Sequence, residues 1–551
     1  MGRFLITSAL IYANGPIHIG HIRSTYLPAD IYTRFLRAIG EDAIYVCATD
    51  EHGSPIEINA QKEGIDPLDF VKKFREIDAV DFNDLNIKFD TFYHTHGELN
   101  RKFSLLFFKK LQENNLIEKK KISSTYCGSC NRYLPDRYLR GICPHCGAED
   151  QYGDGCEVCG KVYDNTDLKS PRCAICNSPA SVKETEHFFF KLSEISDFLK
   201  KWISENKLLQ EDAKGYALHW IREGLKDWDI TRDGPIFGFE IPNAPQKYLY
   251  VWFDAPIGYV SSTAKWAENS KDAWEKFWKD EDCKIIHFIG KDIIYHHYLF
   301  WPAMLHGIND DFNLPYRIPV RGFSTLEKRK MSKSKGHLIE IRKFLKIFPA
   351  DYLRFYLAAT TSDSIKDGDF STDEFKEKIN TNLIGALGNF VNRVLTFTAK
   401  HFNQEVPFGS SDSPFFKEIY NKFEENVEKI KIALNKIEIK RGLEYFMKII
   451  HWCNKYFNDN EPWKKIKTDK KEIANLFYSL LNAVRMIALL SYPYLPDTAL
   501  KIYQLLNLEY SPENIKWDTL FNIELKPGHK LNKPEILFNK ISNEHEKLLE
   551  S

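Results

Sequence analysis

Residues 11–21 read IYANGPIHIGH, and the fold turns on how that stretch is read. An apolar, β-prone run precedes it, Phe4-Leu5-Ile6-Thr7-Ser8-Ala9, and an amphipathic helical stretch follows it to about Gly40. Asn14-Gly15-Pro16 therefore falls in a strand-to-helix turn, with His18 and His21 on the first turn of the helix. A helix N-terminus carries unpaired N–H groups and the positive end of the macrodipole, which makes it an anion site. Two imidazoles three residues apart can face one phosphate there, and Gly20 lets a ligand approach the backbone closely. Histidines so placed can also simply cap or pack, so the pair needs a second signal. That signal lies far downstream, at Lys330-Met331-Ser332-Lys333-Ser334. Read plainly it is a solvated basic loop; read with the histidines it is a mobile loop that carries ammonium groups to a phosphate.

Working outward, Ala43-Ile44-Tyr45-Val46-Cys47-Ala48 is a second β run. A strand–helix–strand unit implies parallel strands joined by a right-handed crossover, with the ligand crevice beyond their carboxyl ends. Ala9, Leu10 and Tyr12 sit beyond the first end and Thr49-Asp50-Glu51-His52-Gly53 beyond the second, so the two segments should share a cleft. Asp50 is the informative carboxylate, as a helix cap or as a ligand-holding group. Helical text follows through Ile117, after which the composition changes. Eight of the eleven cysteines fall in four C-x2-C pairs between 127 and 176, separated by twelve, nine and thirteen residues. A segment so poor in apolar runs needs a staple, and four such pairs in series read as zinc knuckles rather than disulfides or a redox motif. Cys143, Cys146, Cys156 and Cys159 can form one S4 site with Cys127, Cys130, Cys173 and Cys176 as a second; sequential pairing is chemically as good. All-cysteine coordination leaves no open position, so the metals would be structural.

Parallel-sheet text resumes after Trp228-Asp229-Ile230, so the cysteine segment divides one fold. Lys247 to Phe253 reads as an aromatic strand ending in Asp254-Ala255-Pro256, then a helix with Tyr259. Strands are predicted at Ile285–Ile289 and Arg317–Val320, with a helix from Gly290-Lys291-Asp292 through Met304 between them. A helix over Asp351–Leu357 would turn Arg354 to solvent or RNA. From about Asp373 the text is helical by period, placing Asn389 and Arg393 one turn apart on one face, and Pro527 to Ser551 reads as a last helix folding back. The chain has 551 residues and 76 basic against 76 acidic side chains, which argues against a global basic field but not against local RNA contacts. No signal peptide and no apolar run of membrane length is read, so a cytoplasmic protein is expected.

Two motifs now carry a resemblance. HIGH at 18–21 with KMSKS at 330–334 is similar to the pair that marks class I aminoacyl-tRNA synthetases. The strings SALIYANGPIHIGH, CATDEHGSPI, EHFFFKL, YLYVWFDAPIGYV, HFIGKDIIYHHYLFWPAML and KMSKSKG resemble methionyl-tRNA synthetases over nearly the whole chain. The resemblance implies an α/β fold, a Rossmann-like parallel sheet split by a zinc-knuckle insertion and followed by an all-α anticodon-binding bundle. The implied parts are 1–116 and 231–324 for the two catalytic halves, 117–230 for the insertion, 325–385 for the KMSKS loop and connecting domain, and 386–551 for the bundle. It implies activation of methionine with ATP and transfer to the 3' end of tRNA(Met). His18, His21, Lys330 and Lys333 would be catalytic, with Gly20 also at the ATP. Asp50 would hold the amino group, and Leu10, Tyr12, Trp252, Ala255, Pro256, Tyr259, Ile293 and His297 would wall a methionine pocket; without the family, Trp252 and Tyr259 read as ordinary core. Asn389, Arg393 and Trp463 would read a CAU anticodon. Relatives of this kind favour the nested cysteine pairing, one or two structural Zn²⁺, Mg²⁺ with ATP, and, since many carry a further dimerising domain that this text does not reach, a monomer. The competing readings are a synthetase for another aliphatic amino acid, which would want a longer editing insertion, a non-catalytic tRNA-binding protein, and a small-molecule adenylyltransferase, which would have no use for the cysteine segment.

Overall fold

A computed structural model of the chain describes residues 2–153, 155–161, 163–331 and 337–545. Its centre is a parallel sheet of β1 (Arg3–Ser8), β2 (Ile11–Tyr12), β3 (Asp42–Asp50), β4 (Thr91–His94), β5 (Cys283–Gly290) and β6 (Val320–Arg321). Val46 pairs with both Thr7 and Thr91, and Thr49 with both Ile11 and His94, so β2 continues β1 along one edge of β3 while β4 takes the other. The order across the sheet is β4-β3-β1-β5-β6. Strand order therefore reverses between β1 and β5, and that switch point opens a crevice at their carboxyl ends. Alternate residues sort to two cores rather than to core and water. Phe4, Ile6, Tyr45 and Phe288 pack on one face, Leu5, Val46, Ile285 and Ile289 on the other, because both faces are covered.

The helix after β2 begins as one turn, Ile19–His21, widens into a π-helical stretch, Ile22–Tyr26, and continues as α1 (Leu27–Ala38). The cysteine segment leaves the sheet on an antiparallel ribbon, Ile117–Cys127 against Ser181–Phe190, and docks back onto the helix Ser54–Glu63. Glu57 on that helix accepts from the Phe237 N–H at 2.8 Å and from the Tyr138 hydroxyl at 3.1 Å. Two sequence expectations are corrected on the return to the sheet. The aromatic run is a strand only over Lys247–Leu249, because Val251–Asp254 coils into a helical turn that leads toward α2 (Gly258–Ala267). The strand expected at Arg317–Val320 is paired at Val320–Arg321, with Arg317 making a single bridge to Ile286.

The rest is mostly helical: α3 (Ala350–Thr360), α4 (Asn389–His401), α5 (Pro414–Asn435), α6 (Ile439–Asp459), α7 (Lys470–Ser491) and α8 (Pro496–Leu505). Side chains cap two of the longest: Ser413 accepts from the Phe416 N–H and Asp469 from the Glu472 N–H. The expectation that no run reaches membrane length does not hold for α7, which is long and apolar enough to cross a membrane by length and composition, but it is mostly buried, so its apolarity serves the bundle core. Arg354, expected at the surface, is 0% exposed. Its guanidinium donates to Asp30 on α1, to the carbonyls of Leu85 and Asn86, and to those of Pro493 and Tyr494. The bundle is thereby bolted to the sheet, and one apolar core runs through both. The predicted last helix is absent over 527–542, where an extended strap is tied by Leu531 to Gln404, Asn539 to Tyr352 and Ile541 to Asn380. Leu531, Phe538 and Ile541 stand at helical spacing, but Pro534 between them lacks the N–H a helix interior needs, and the strap's backbone groups find partners in other elements.

Candidate functional site

A cleft of about 830 Å³ opens at the carboxyl ends of β1, β3 and β5. His18, Gly20 and His21 line it, and so do Leu10, Tyr12, Asp50, Trp252, Ala255, Pro256, Tyr259, Ile293 and His297. The two motif histidines form a reciprocal cap. The Gly20 N–H donates to His18 Nδ1 at 3.2 Å, the His18 N–H donates to His21 Nδ1 at 3.3 Å, and the rings stack with centroids 3.8 Å apart. A ring nitrogen that accepts from a backbone N–H carries no proton, so each neutral imidazole is protonated on Nε2 and offers a donor. Met331 closes on this turn, its Sδ 3.3 Å from where a Cβ on Gly20 would stand. On the far side of the loop Glu340 bridges His18, and Ile339 accepts from the Ile19 N–H at 3.1 Å. Both flanks of residues 332–336 thus meet the HIGH turn; Lys333 and the side chain of Lys330 lie outside the described parts.

Under the apolar half of the cleft the polar groups are locked neutral. His297 donates from Nδ1 to the Ile293 carbonyl at 3.1 Å, so its Nε2 accepts from the Tyr259 hydroxyl at 2.8 Å. His287 accepts at Nε2 from the Trp301 indole N–H at 3.2 Å and donates from Nδ1 to Thr7. Burial pushes His297 down to about 4 and His287 well below its ordinary value. Trp252 stacks on His296 with centroids 3.8 Å apart and the rings 25° from parallel. His296, which sequence reasoning passed over in favour of its neighbour, lines the cleft and is lowered to about 3 by burial. The paired histidines of IIYHHYLF were its signal.

Three acids lie along the edge. Asp50 ends β3, is 8% exposed, and its Oδ1 has no hydrogen-bond partner among the described residues. Burial, and then the charge of Asp254, push its carboxyl well above the ordinary value. Asp254 is fully buried behind His52, with Oδ2 2.6 Å from His52 Nδ1, while His52 Nε2 meets His96 Nδ1 at 3.0 Å. Neither His52 nor Asp254 was singled out from the sequence, although both stand in quoted strings. Glu51 points the other way. Burial opposes its ionisation, but His94 at 3.1 Å and Arg75 at 2.8 Å hold it below its ordinary value.

The cysteines gather in two groups, Cys127, Cys130, Cys173 and Cys176, and Cys143, Cys146, Cys156 and Cys159, the sulfurs of each lying within 4.8 Å of one another. Sulfur separations of 3.4 and 3.9 Å in the first and 3.5 and 3.9 Å in the second suit a tetrahedron, for which Zn–S bonds of about 2.3 Å give edges of about 3.8 Å. Backbone N–H groups of Cys130, Cys146 and Cys159 point at the first sulfur of their own pair. At the other end of the molecule, Arg393 lies 4.1 Å over the Phe457 ring and 5.9 Å from the Trp463 ring, and Asn389 sits one turn before it on α4. Trp463 is 46% exposed, so the three residues form a surface patch.

Residues 4–395 match the family model described as tRNA synthetases class I (M), and 406–550 the one described as anticodon binding domain of methionyl tRNA ligase. The methionine–tRNA ligase of Methanopyrus kandleri is 43% identical over 99% of this chain and 81% of its own length, and that of Pyrococcus furiosus 41% identical over 99% and 76%. A solved structure, Mycobacterium tuberculosis methionyl-tRNA synthetase in complex with methionyl-adenylate, covers 98% of this chain and 100% of its own with TM-score 0.81 and 24% identity, a likeness of fold.

Proposed function

The chain belongs to the methionyl-tRNA synthetases of class I, and on that premise we infer that it acts as a methionine–tRNA ligase, joining methionine to ATP and then to tRNA. The observation that carries the reading is the Asp50 oxygen without a partner, set between a neutral apolar pocket and a helix N-terminus in one cleft. A buried carboxylate left unpaired calls for a cation, and the ammonium of an amino acid supplies one. Beyond it, Trp252, Tyr259 and the neutral His297 suit a thioether, which is polarizable and packs against aromatic edges. Triphosphate oxygens would face the Nε2 donors of His18 and His21 at the positive end of that helix, with Mg²⁺ arriving as part of the ATP substrate and Lys333 closing from the loop.

Two displacements follow. The methionine carboxylate attacks the α-phosphorus and pyrophosphate leaves; a terminal ribose hydroxyl of tRNA then takes the acyl group and AMP leaves. Both need positioning and charge stabilisation rather than a side-chain nucleophile. The two cysteine groups would each hold one structural Zn²⁺, which fixes the insertion against the Ser54–Glu63 helix and leaves no position for substrate. Asn389, Arg393 and Trp463 would receive the splayed anticodon bases by hydrogen bonding and stacking. Methionine-dependent ATP–pyrophosphate exchange, run against leucine and isoleucine, tests the reading. Methionine should lead by the ~10–200-fold that pocket fit supplies, and equal exchange with leucine or isoleucine would overturn it.

A further inference from the structure

Asn389 and Arg393 on α4 each meet an asparagine of α6. Asn454 donates from Nδ2 to the carbonyls of Ala386 at 3.0 Å and Ile450 at 3.1 Å. Both partners are acceptors, so the amide has one satisfactory orientation; flipping it would set oxygen against oxygen twice. Its Oδ1 is then committed to the other side, where it accepts from Asn389 Nδ2 at 3.3 Å. Asn389 is thereby oriented in turn, with its carbonyl oxygen directed away from Asn454. Arg393 has donors alone, and Asn458 Oδ1 accepts from its Nη2 at 2.7 Å while Phe457 lies against the guanidinium face. One edge of the fork is held, and the remaining N–H groups are left for a ligand.

We propose that Asn454 and Asn458 are positioning residues that fix the hydrogen-bond polarity of the patch, so that Asn389 offers an acceptor to a base bearing an exocyclic amine while Arg393 offers donors beside it. The proposal rests on the reading of the patch as the anticodon site. An outward carbonyl accepts from the amine of cytosine or adenine and is repelled by the oxygen that uracil or guanine carries at the same place. Recognition is then set by a relay of orientation that starts at two backbone carbonyls on neighbouring helices, not by Asn389 alone.

The test uses the full chain and tRNA transcripts with anticodons CAU, UAU and CGU, each change putting an oxygen where the C4 amine of cytosine or the C6 amine of adenine stood. In Asn454→Leu, Asn389 can rotate, and the preference for CAU over UAU or over CGU should fall roughly tenfold, the worth of a lost directed base contact. Methionine-dependent pyrophosphate exchange should be unchanged, which also reports that the variant is folded. Asn458→Ala should raise KM for the CAU transcript roughly tenfold with kcat kept, and Asn458→Asp, which retains the acceptor, should restore it. If both discrimination ratios survive in Asn454→Leu, or Asn458→Asp is as poor as Asn458→Ala, the relay is wrong. If Arg393→Ala leaves KM for tRNA at the parent value, the anticodon reading itself falls.

Discussion

Replacing Asp50 by asparagine should move affinity and stability in opposite directions. The carboxylate is 8% exposed, one oxygen has no partner among the described residues, and Asp254 places a second acid close by. Removing a buried acid whose oxygen is unmet and whose ionisation the cleft opposes relieves a penalty of roughly 1–3 kcal/mol at neutral pH. That corresponds to a rise of roughly 2–12 °C for a cooperative unit of a couple of hundred residues. The sign against pH follows from the raised carboxyl. Its folded form keeps a proton that the unfolded chain has lost, so its stabilisation is full below about pH 4 and is lost as pH rises through the folded value. Asparagine does not titrate, so the gain over the parent should be small near pH 4 and widen toward neutrality. Methionine binding should suffer instead. Truncating one partner of a buried charge pair costs about 2–5 kcal/mol, or roughly 30-fold to several thousand-fold in affinity. Melting curves at several pH values with and without methionine, beside KM from pyrophosphate exchange, read both arms. A KM within threefold of the parent, or a lower melting point at every pH, would refute the assignment.

Tyr259→Phe leaves His297 Nε2 buried without its donor at 2.8 Å and should raise the KM for methionine by several-fold to about a hundredfold, at the ~1–3 kcal/mol cost of an unmet buried group. Glu51 is held below its ordinary value by His94 and Arg75, so its contribution is present above the unfolded pKa of about 4 and is lost as pH falls through the lower folded one. Glu51→Gln should therefore destabilise the chain at pH 7 and much less near pH 3, as melting curves would show. Elemental analysis should find close to two zinc per chain, falling by one in Cys146→Ser and by one in Cys176→Ser; a parent value near one would leave a cysteine group without its metal. Lys333→Ala should slow adenylate formation in single-turnover assays with methionine affinity nearly intact.

The cleft was legible because strand ends deliver side chains to one edge whatever surrounds them. Residues 4–12 and 43–53 fixed that edge, and Asp50 stood on it before any coordinate did. What failed depended on partners distant in the chain. Trp252 was expected on a strand, yet Val251–Asp254 coils so that its ring can stack on His296. Arg354 looked like a surface cation, because nothing nearby announces five carbonyl or carboxylate acceptors gathered from residues 30, 85, 86, 493 and 494. Cysteine spacing left two pairings open. The ribbon chooses between them, since Tyr126 pairs with Ser181 and so brings Cys127 next to Cys176.

The bolt at Arg354 has a mechanical consequence. A hinge there would let the two working ends drift apart, and each would then hold its portion of the RNA independently. With the joint stiffened by five hydrogen bonds and a shared interior, the molecule behaves as a calliper with a set gap. Avidity across a fixed span vanishes when the ligand cannot reach both jaws together, so a tRNA bearing the right three letters on an arm of the wrong length would be refused on geometry.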